Sequence, residues 1–202
     1  YRLKAKDLHG VHSPFVYKFM KEAMTIQIED KYKKELAHYV SIVANNQHEI
    51  QVKDYGAKSK KLKSKRTVKQ IFRTSSSNGK NALLLYRLSK YFKPNRVLEL
   101  GTSLGIGTLH LFLGHPEAQI TSVEGCPETF SLAQKQLNST SIELINQTFY
   151  DYIKSLNKEK FDMVFIDGHH EGEALKYYLK LLDKHIHDNT IIILDDIRWS
   201  GS

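Results

Sequence analysis

Four apolar, strand-like runs in this chain end in acidic residues, five carboxylates in all. Glu99 lies in Arg96-Val97-Leu98-Glu99-Leu100, and Glu124 closes Ile120-Thr121-Ser122-Val123-Glu124. Asp167 closes Phe161-Asp162-Met163-Val164-Phe165-Ile166-Asp167, and Asp195-Asp196 follow Ile191-Ile192-Ile193-Leu194. Helix-like stretches separate the runs, which is how a parallel sheet alternates with its crossover helices. Ligands of such sheets bind outside the carboxyl ends of the strands. The acids therefore share one edge, and that edge is the expected site.

The loop after the first of these runs narrows the ligand. Glu99-Leu100-Gly101-Thr102-Ser103-Leu104-Gly105-Ile106-Gly107-Thr108 reads as a glycine-bearing strand-to-helix turn, where backbone approaches a ligand closely. It departs from the dinucleotide fingerprint, because Ser103 and Ile106 stand where its second and third glycines belong. Glu99 would repel a pyrophosphate but attract an ammonium. Glu124 follows 25 residues later at the end of the next strand, where an acid accepts hydrogen bonds from ribose hydroxyls. An aminoacyl cation joined to a ribose describes S-adenosylmethionine.

On these motifs the chain resembles the class I S-adenosylmethionine-dependent methyltransferases, of the catechol and caffeoyl-CoA O-methyltransferase type. That group's first motif reads Glu-x-Gly-x-x-x-Gly-x-Ser/Thr. Here Glu99, Gly101 and Gly105 match it, while Gly107-Thr108 set the hydroxyl one residue late. Glu124-Gly125-Cys126-Pro127-Glu128 resembles the ribose and adenine segment, and Phe165-Ile166-Asp167-Gly168-His169-His170 and Leu194-Asp195-Asp196 resemble the fourth- and fifth-strand motifs. The resemblance spans roughly residues 80–198. Leu8-His9-Gly10-Val11-His12-Ser13-Pro14-Phe15-Val16 is similar to a signature of an uncharacterised bacterial branch of these enzymes.

The resemblance implies a Rossmann-like doubly wound α/β fold with strand order 3-2-1-4-5, counted from Arg96. It implies a cofactor site of Glu99, Gly101, Thr102, Ser103, Gly105, Glu124, Gly125, Cys126, Thr148, Phe149 and Asp167. Methyl transfer then needs a deprotonated acceptor. In the resembled group a divalent metal lowers the acceptor's pKa, and its ligands fall here at Asp167, Asp195 and Asp196. Asp196 replaces the usual asparagine, and oxygen-only ligands suit Mg²⁺, Mn²⁺ or Ca²⁺. The bland alternative has Asp195-Asp196 capping a loop and Asp167 orienting the cofactor. His169 and His170 read equally as a polar turn or as base or ligand, with His170 the better candidate base. Asp167 and His170 are thus the expected catalytic pair. Cys126 precedes Pro127 at a helix start without a basic partner, which favours packing near adenine over reactivity. Phe149 reads as an adenine-stacking or a core aromatic, and His9 and His12 as helix-entry residues.

Charge divides the chain. Residues 1–95 hold 21 Lys/Arg against 7 Asp/Glu (+14), and residues 96–202 hold 9 against 15 (−6), which together make the net +8. The excess concentrates in Lys58-Ser59-Lys60-Lys61-Leu62-Lys63-Ser64-Lys65-Arg66. A solvated loop accounts for it, as does a surface for nucleic acid or an acidic substrate. No aromatic interleaves these lysines, so no stacking platform for single strands is visible. Methyl transfer to a small-molecule hydroxyl is the main expectation, with an RNA methyltransferase using the basic region, or a cofactor-binding protein without turnover, as the alternatives. A single cysteine precludes an internal disulfide, which fits a reducing cytoplasm. No apolar run approaches the ~20 residues of a membrane span. A homodimer is one assembly the reading leaves open.

Two domains are expected, a helical extension with the basic loop (1–75) and the methyltransferase domain (76–202). The pattern predicts helices from Pro14 to about Met24, from Asp30 to Asn45, and over Val68–Arg73 and Ala82–Phe92, with residues 48–66 irregular. Strands follow at Arg96, Ile120, Ile142, Phe161 and Ile191, with helices between. The chain begins without Met, which implies residues upstream. It ends seven residues after Asp195, so the two strands that normally complete the fold (its sixth and seventh) are expected to be missing.

Overall fold

A computed structural model describes residues 13–53, 64–75, 79–137, 139, 141–168 and 172–195. Ser13 accepts a hydrogen bond from the Val16 amide (3.3 Å) and Pro14 takes the first helical position, so α1 (Pro14–Glu22) starts where the Ser-Pro pair predicts. It stops two residues short of Met24. Helix α2 (Asp30–Ala44) buries Tyr32, Tyr39 and Val43 along one face. The stretch expected to be irregular instead supplies an antiparallel pair, β1 (Glu49–Gln51) and β2 (Lys65–Thr67), with Ile50 opposite Arg66. Each strand has three residues, and Ile50 is the one buried among them, too short a run for a period of two to declare itself.

The remaining elements are α3 (Val68–Ser75), α4 (Gly79–Phe92), β3 (Arg96–Leu100), α5 (Ile106–Gly114), β4 (Gln119–Val123) and α6 (Pro127–Gln136), then β5 (Ile142–Ile145), α7 (Phe149–Ser155), β6 (Met163–Ile166), α8 (Gly172–Leu182) and β7 (Ile191–Leu194). A short 3₁₀ turn, Asp183–His185, follows α8. Five strands form one parallel sheet in the order β5-β4-β3-β6-β7, which is 3-2-1-4-5 counted from β3. The antiparallel pair takes the first two numbers. Strands six and seven of the chain are therefore present, as the fourth and fifth of this sheet. The two strands that the resemblance adds beyond β7 would lie past Asp195, outside the described residues.

Each face of the sheet has its own packing layer. On one, Leu98, Leu100, Val164 and Ile166 meet Ile153, Tyr178 and Leu182 of α7 and α8. On the other, Val97, Ile120, Met163 and Phe165 meet Leu85 and Leu88 of α4 and Leu111 of α5. Residues from both sides of position 75 share a further cluster, in which Tyr39, Ile50 and Ile71 pack with Ile106, Leu109 and Leu137. Helix α5 is consequently buried all round from Ile106 to Leu111. Among the described residues no helix is long and apolar enough to cross a membrane.

Burial of α5 forces His110 to find a partner inside. Its Nδ1 lies 2.8 Å from the Tyr32 hydroxyl, which fastens α2 to α5, and the Tyr32 ring packs on Tyr86 at 4.1 Å. Burial holds the imidazole down to about 4, below its ordinary 6.5. A depressed folded-state pKa contributes stability that is complete above 6.5 and lost as pH falls toward 4. Urea midpoints measured across that window should fall with pH, and His110→Gln should flatten the dependence. An unchanged slope in the variant would place the acid sensitivity elsewhere.

Candidate active site at the carboxyl edge

Strand register builds the site. Leu100 pairs with Val123 and Ile166, Val123 with Ile145, and Ile166 with Leu194, so the strands end level. The residues just beyond therefore form one row: Asn146, Glu124, Gly101, Asp167 and Asp195. Ladder bonds continue into it, from the amides of Gly101 to Val123 O (2.9 Å), Asp167 to Leu100 O (2.9 Å), Glu124 to Ile145 O (2.9 Å) and Asp195 to Ile166 O (3.0 Å). Asp167 and Asp195 thus sit side by side on neighbouring strands, their backbones about 5 Å apart across the sheet.

Glycine is required in the β3–α5 turn. Gly101 has φ +114°, and a Cβ there would lie 2.1 Å from the Asp167 carbonyl oxygen. Gly105 has φ +78°, and its Cβ would meet the Tyr39 hydroxyl and Leu137. The Tyr39 hydroxyl donates to Leu104 O at 2.6 Å, so α2 pins the turn from below. Ser103 also adopts a positive φ, +48°.

Glu124 organises this turn. One carboxylate oxygen accepts the Ser103 amide at 2.7 Å and the other the Cys126 amide at 2.8 Å. Burial raises its pKa, and those amides oppose the rise by favouring the charged form. Asn146 clamps the same segment by donating to Glu124 O at 2.7 Å.

Glu99, expected with the other acids at this edge, stands instead two residues back from the row, inside the sheet and fully buried, because β3 runs on past it through Leu100. Oε2 accepts the Ser122 hydroxyl at 2.5 Å and the Thr108 hydroxyl. Oε1 is buried with no hydrogen-bond partner among the described residues. Burial pushes the carboxyl up to about 8, against those two hydroxyls, and the charges of Asp167 and Glu124 push the same way. Ser122 was not among the residues the motifs singled out, and Thr108 entered there only as a hydroxyl one residue late, with no partner assigned. One sits mid-strand, the other a residue out of the familiar register, and only the pairing of Glu99 with Ser122 brings them together.

Other expected residues are placed as follows. Thr102 is buried, with its hydroxyl 2.6 Å from Ser122 Oγ. Cys126 is buried in a seam with β1, accepting the Lys53 amide at 3.3 Å, and Gly125 lies in the turn between it and Glu124. Thr148 caps α7, accepting the Asp151 amide at 3.2 Å. Phe149 lies against Gly168, where a Cβ would be 3.0 Å from the ring, and meets Tyr178 edge-on at 5.8 Å. His9, His12, His169, His170, Asp196 and most of the lysine run lie outside the described residues. Among the described residues no group of three or more His, Cys, Asp or Glu forms a metal cluster.

Comparison with known proteins agrees with this geometry. Residues 98–197 match the family model described as "Methyltransferase domain". The release factor glutamine methyltransferase of Escherichia coli (strain K12) is 32% identical over 72 residues, which is 36% of this chain and 26% of that protein. The match thus spans about a quarter of that relative's length. Among solved structures, an O-methyltransferase from Bacillus cereus in complex with SAH has a TM-score of 0.59 at 16% identity, over 91% of this chain and 73% of that one. The O-methyltransferase TomG from Streptomyces achromogenes, in complex with SAM, gives 0.58 at 15%, over 90% and 72%. At such identities the likeness is one of fold. With the sheet order and the acid-bearing edge, these matches give the chain the fold of a methyltransferase domain, matched over residues 98–197.

Proposed function

We propose that this protein transfers the methyl group of S-adenosylmethionine to a hydroxyl of a small molecule. The observation that carries the reading is Glu99 Oε1, a buried acceptor without a partner among the described residues, directly beneath a glycine-bearing turn. A cofactor ammonium supplies the donor and positive charge that this oxygen lacks. Glu124, already anchored by two amides, retains acceptor capacity for ribose hydroxyls, since a carboxylate has about four lone-pair sites. Gly101, Ser103 and Gly105 bring backbone up to the cofactor, with Cys126 and Phe149 flanking the adenine end.

Bound S-adenosylmethionine contributes an electrophilic methyl on sulfur, and the protein's task is to hold an acceptor oxygen in line with it. Such positioning removes ~7–11 kcal/mol of barrier. Asp167 and Asp195, adjacent in the row, are two oxygen donors suited to a divalent cation, with Asp196 as a third. Mg²⁺ or Mn²⁺ held there would lower an acceptor hydroxyl's pKa. His170 is the candidate base. The match to a glutamine methyltransferase favours a second reading, an amide nitrogen as acceptor. Radiolabelled S-adenosylmethionine offered with phenolic, alcoholic and glutaminyl acceptors separates the two by which product carries label.

Glu124→Ala should weaken S-adenosylhomocysteine by ~1.5–3 kcal/mol, the worth of a charge-assisted hydrogen bond. Titration calorimetry showing wild-type affinity in both Glu124→Ala and Glu99→Ala would reject the cofactor placement. Methyl transfer should collapse in EDTA and return with Mg²⁺ or Mn²⁺, and Asp195→Ala should reproduce the EDTA effect with cofactor affinity nearly intact. Full activity in chelator would leave Asp167 as a cofactor-orienting residue and give His170 the base role alone.

A further inference from the structure

The hydroxyls around Glu99 form a connected set that the cofactor reading does not by itself require. Thr102 Oγ1 lies 2.6 Å from Ser122 Oγ, which donates to Glu99 Oε2 at 2.5 Å. Thr108 Oγ1 donates to the same Oε2 and lies 3.4 Å from Ser122 Oγ. All three residues are buried, so none of these hydroxyls has water as an alternative partner. Both donors converge on one oxygen and leave the other bare. Gly107 stands over the bare one, where a Cβ would lie 2.6 Å from Oε1 and 3.3 Å from the Phe165 ring. A side chain at 107 would have to displace the carboxylate.

We propose that Thr108 and Ser122 are positioning residues, locking Glu99 through Oε2 so that Oε1, which Gly107 leaves uncrowded, is kept as the acceptor for the cofactor's α-ammonium. This rests on Glu99 being the ammonium acceptor. The placement of the hydroxyl one residue late then has a physical meaning. A Ser or Thr at 107 would occupy the space in front of Oε1, whereas a hydroxyl at 108 reaches the far oxygen from the next position of the same helical turn. Without the two donors the side chain is free to rotate about its terminal bonds, a motion that a single fixed acceptor geometry cannot tolerate.

The test compares S-adenosylhomocysteine, which carries the ammonium, with 5′-methylthioadenosine, which lacks the amino acid portion. Calorimetry on the wild-type protein and on Thr108→Val, Ser122→Ala, Thr108→Ser, Gly107→Ala and Glu99→Gln decides it. Thr108→Val, Ser122→Ala and Gly107→Ala should each lose affinity for S-adenosylhomocysteine by about tenfold or more, the worth of a hydrogen bond to a charged group. Methylthioadenosine affinity should be unchanged in all three, and Thr108→Ser should bind both ligands as the wild type does. Equal loss for both ligands would mean that the hydroxyls merely support the fold, and overturns the proposal. Selective loss in Glu99→Gln with none in Thr108→Val or Ser122→Ala overturns it while leaving the ammonium reading intact. A wild-type protein that binds neither ligand removes that underlying reading as well.

Discussion

Glu99 stands within the sheet, two residues short of its carboxyl edge, where an ionised carboxylate has lost all of its water. Burying an unpaired charge costs several kcal/mol even after relaxation, and the two hydroxyls on Oε2 offset only part of that. The carboxyl responds by holding its proton up to about pH 8. The rest of the site is arranged around that cost. β4 contributes Ser122 because it pairs with β3 in this register, α5 contributes Thr108 because its first turn is packed down by α2, and Gly105 and Gly107 keep the intervening backbone close. A group that persists under such a penalty is a strong functional-site candidate.

Around this centre the N-terminal elements share the packing of the parallel-sheet domain. α2 reaches the β3–α5 turn through Tyr39 and the middle of α5 through Tyr32. β1 lies against the start of α6, with Gln51 donating its amide to Glu128 at 2.9 Å and Lys53 donating to Cys126. The segment from Glu124 to Cys126 is therefore held from three directions, by the β3–α5 turn, by Asn146 and by β1. Pre-organisation of this kind lowers the ordering cost a ligand would otherwise meet on binding.

The fold was legible in the sequence because the parallel strands are buried on both faces and so appear as unbroken apolar runs such as Val164-Phe165-Ile166. Carboxylates at their ends then marked the edge. The antiparallel pair was not legible, since Glu49–Gln51 and Lys65–Thr67 each offer three residues and are joined by a long basic connection. The roles inside the site were legible only in part. Glu124 stood out as a ribose acid, but its two amide bonds, which make it the organiser of the turn, depend on how the loop folds back. Ser122 looked like an ordinary strand residue and Thr108 like a motif displaced by one. Their convergence on Glu99 comes from strand pairing and the start of a helix, neither of which leaves a local signature.

Proton linkage tests most directly whether Glu99 accepts the ammonium of S-adenosylmethionine. In the free protein the carboxyl titrates near 8 and is mostly protonated at neutral pH. Pairing with an ammonium favours the ionised form and lowers that pKa, so binding must expel a proton. Calorimetric titration of S-adenosylhomocysteine at pH 7, in buffers of different ionisation enthalpy, should show release of most of one proton per site, and none in Glu99→Gln. Tight binding with no proton released, or the same release in Glu99→Gln, would contradict the assignment.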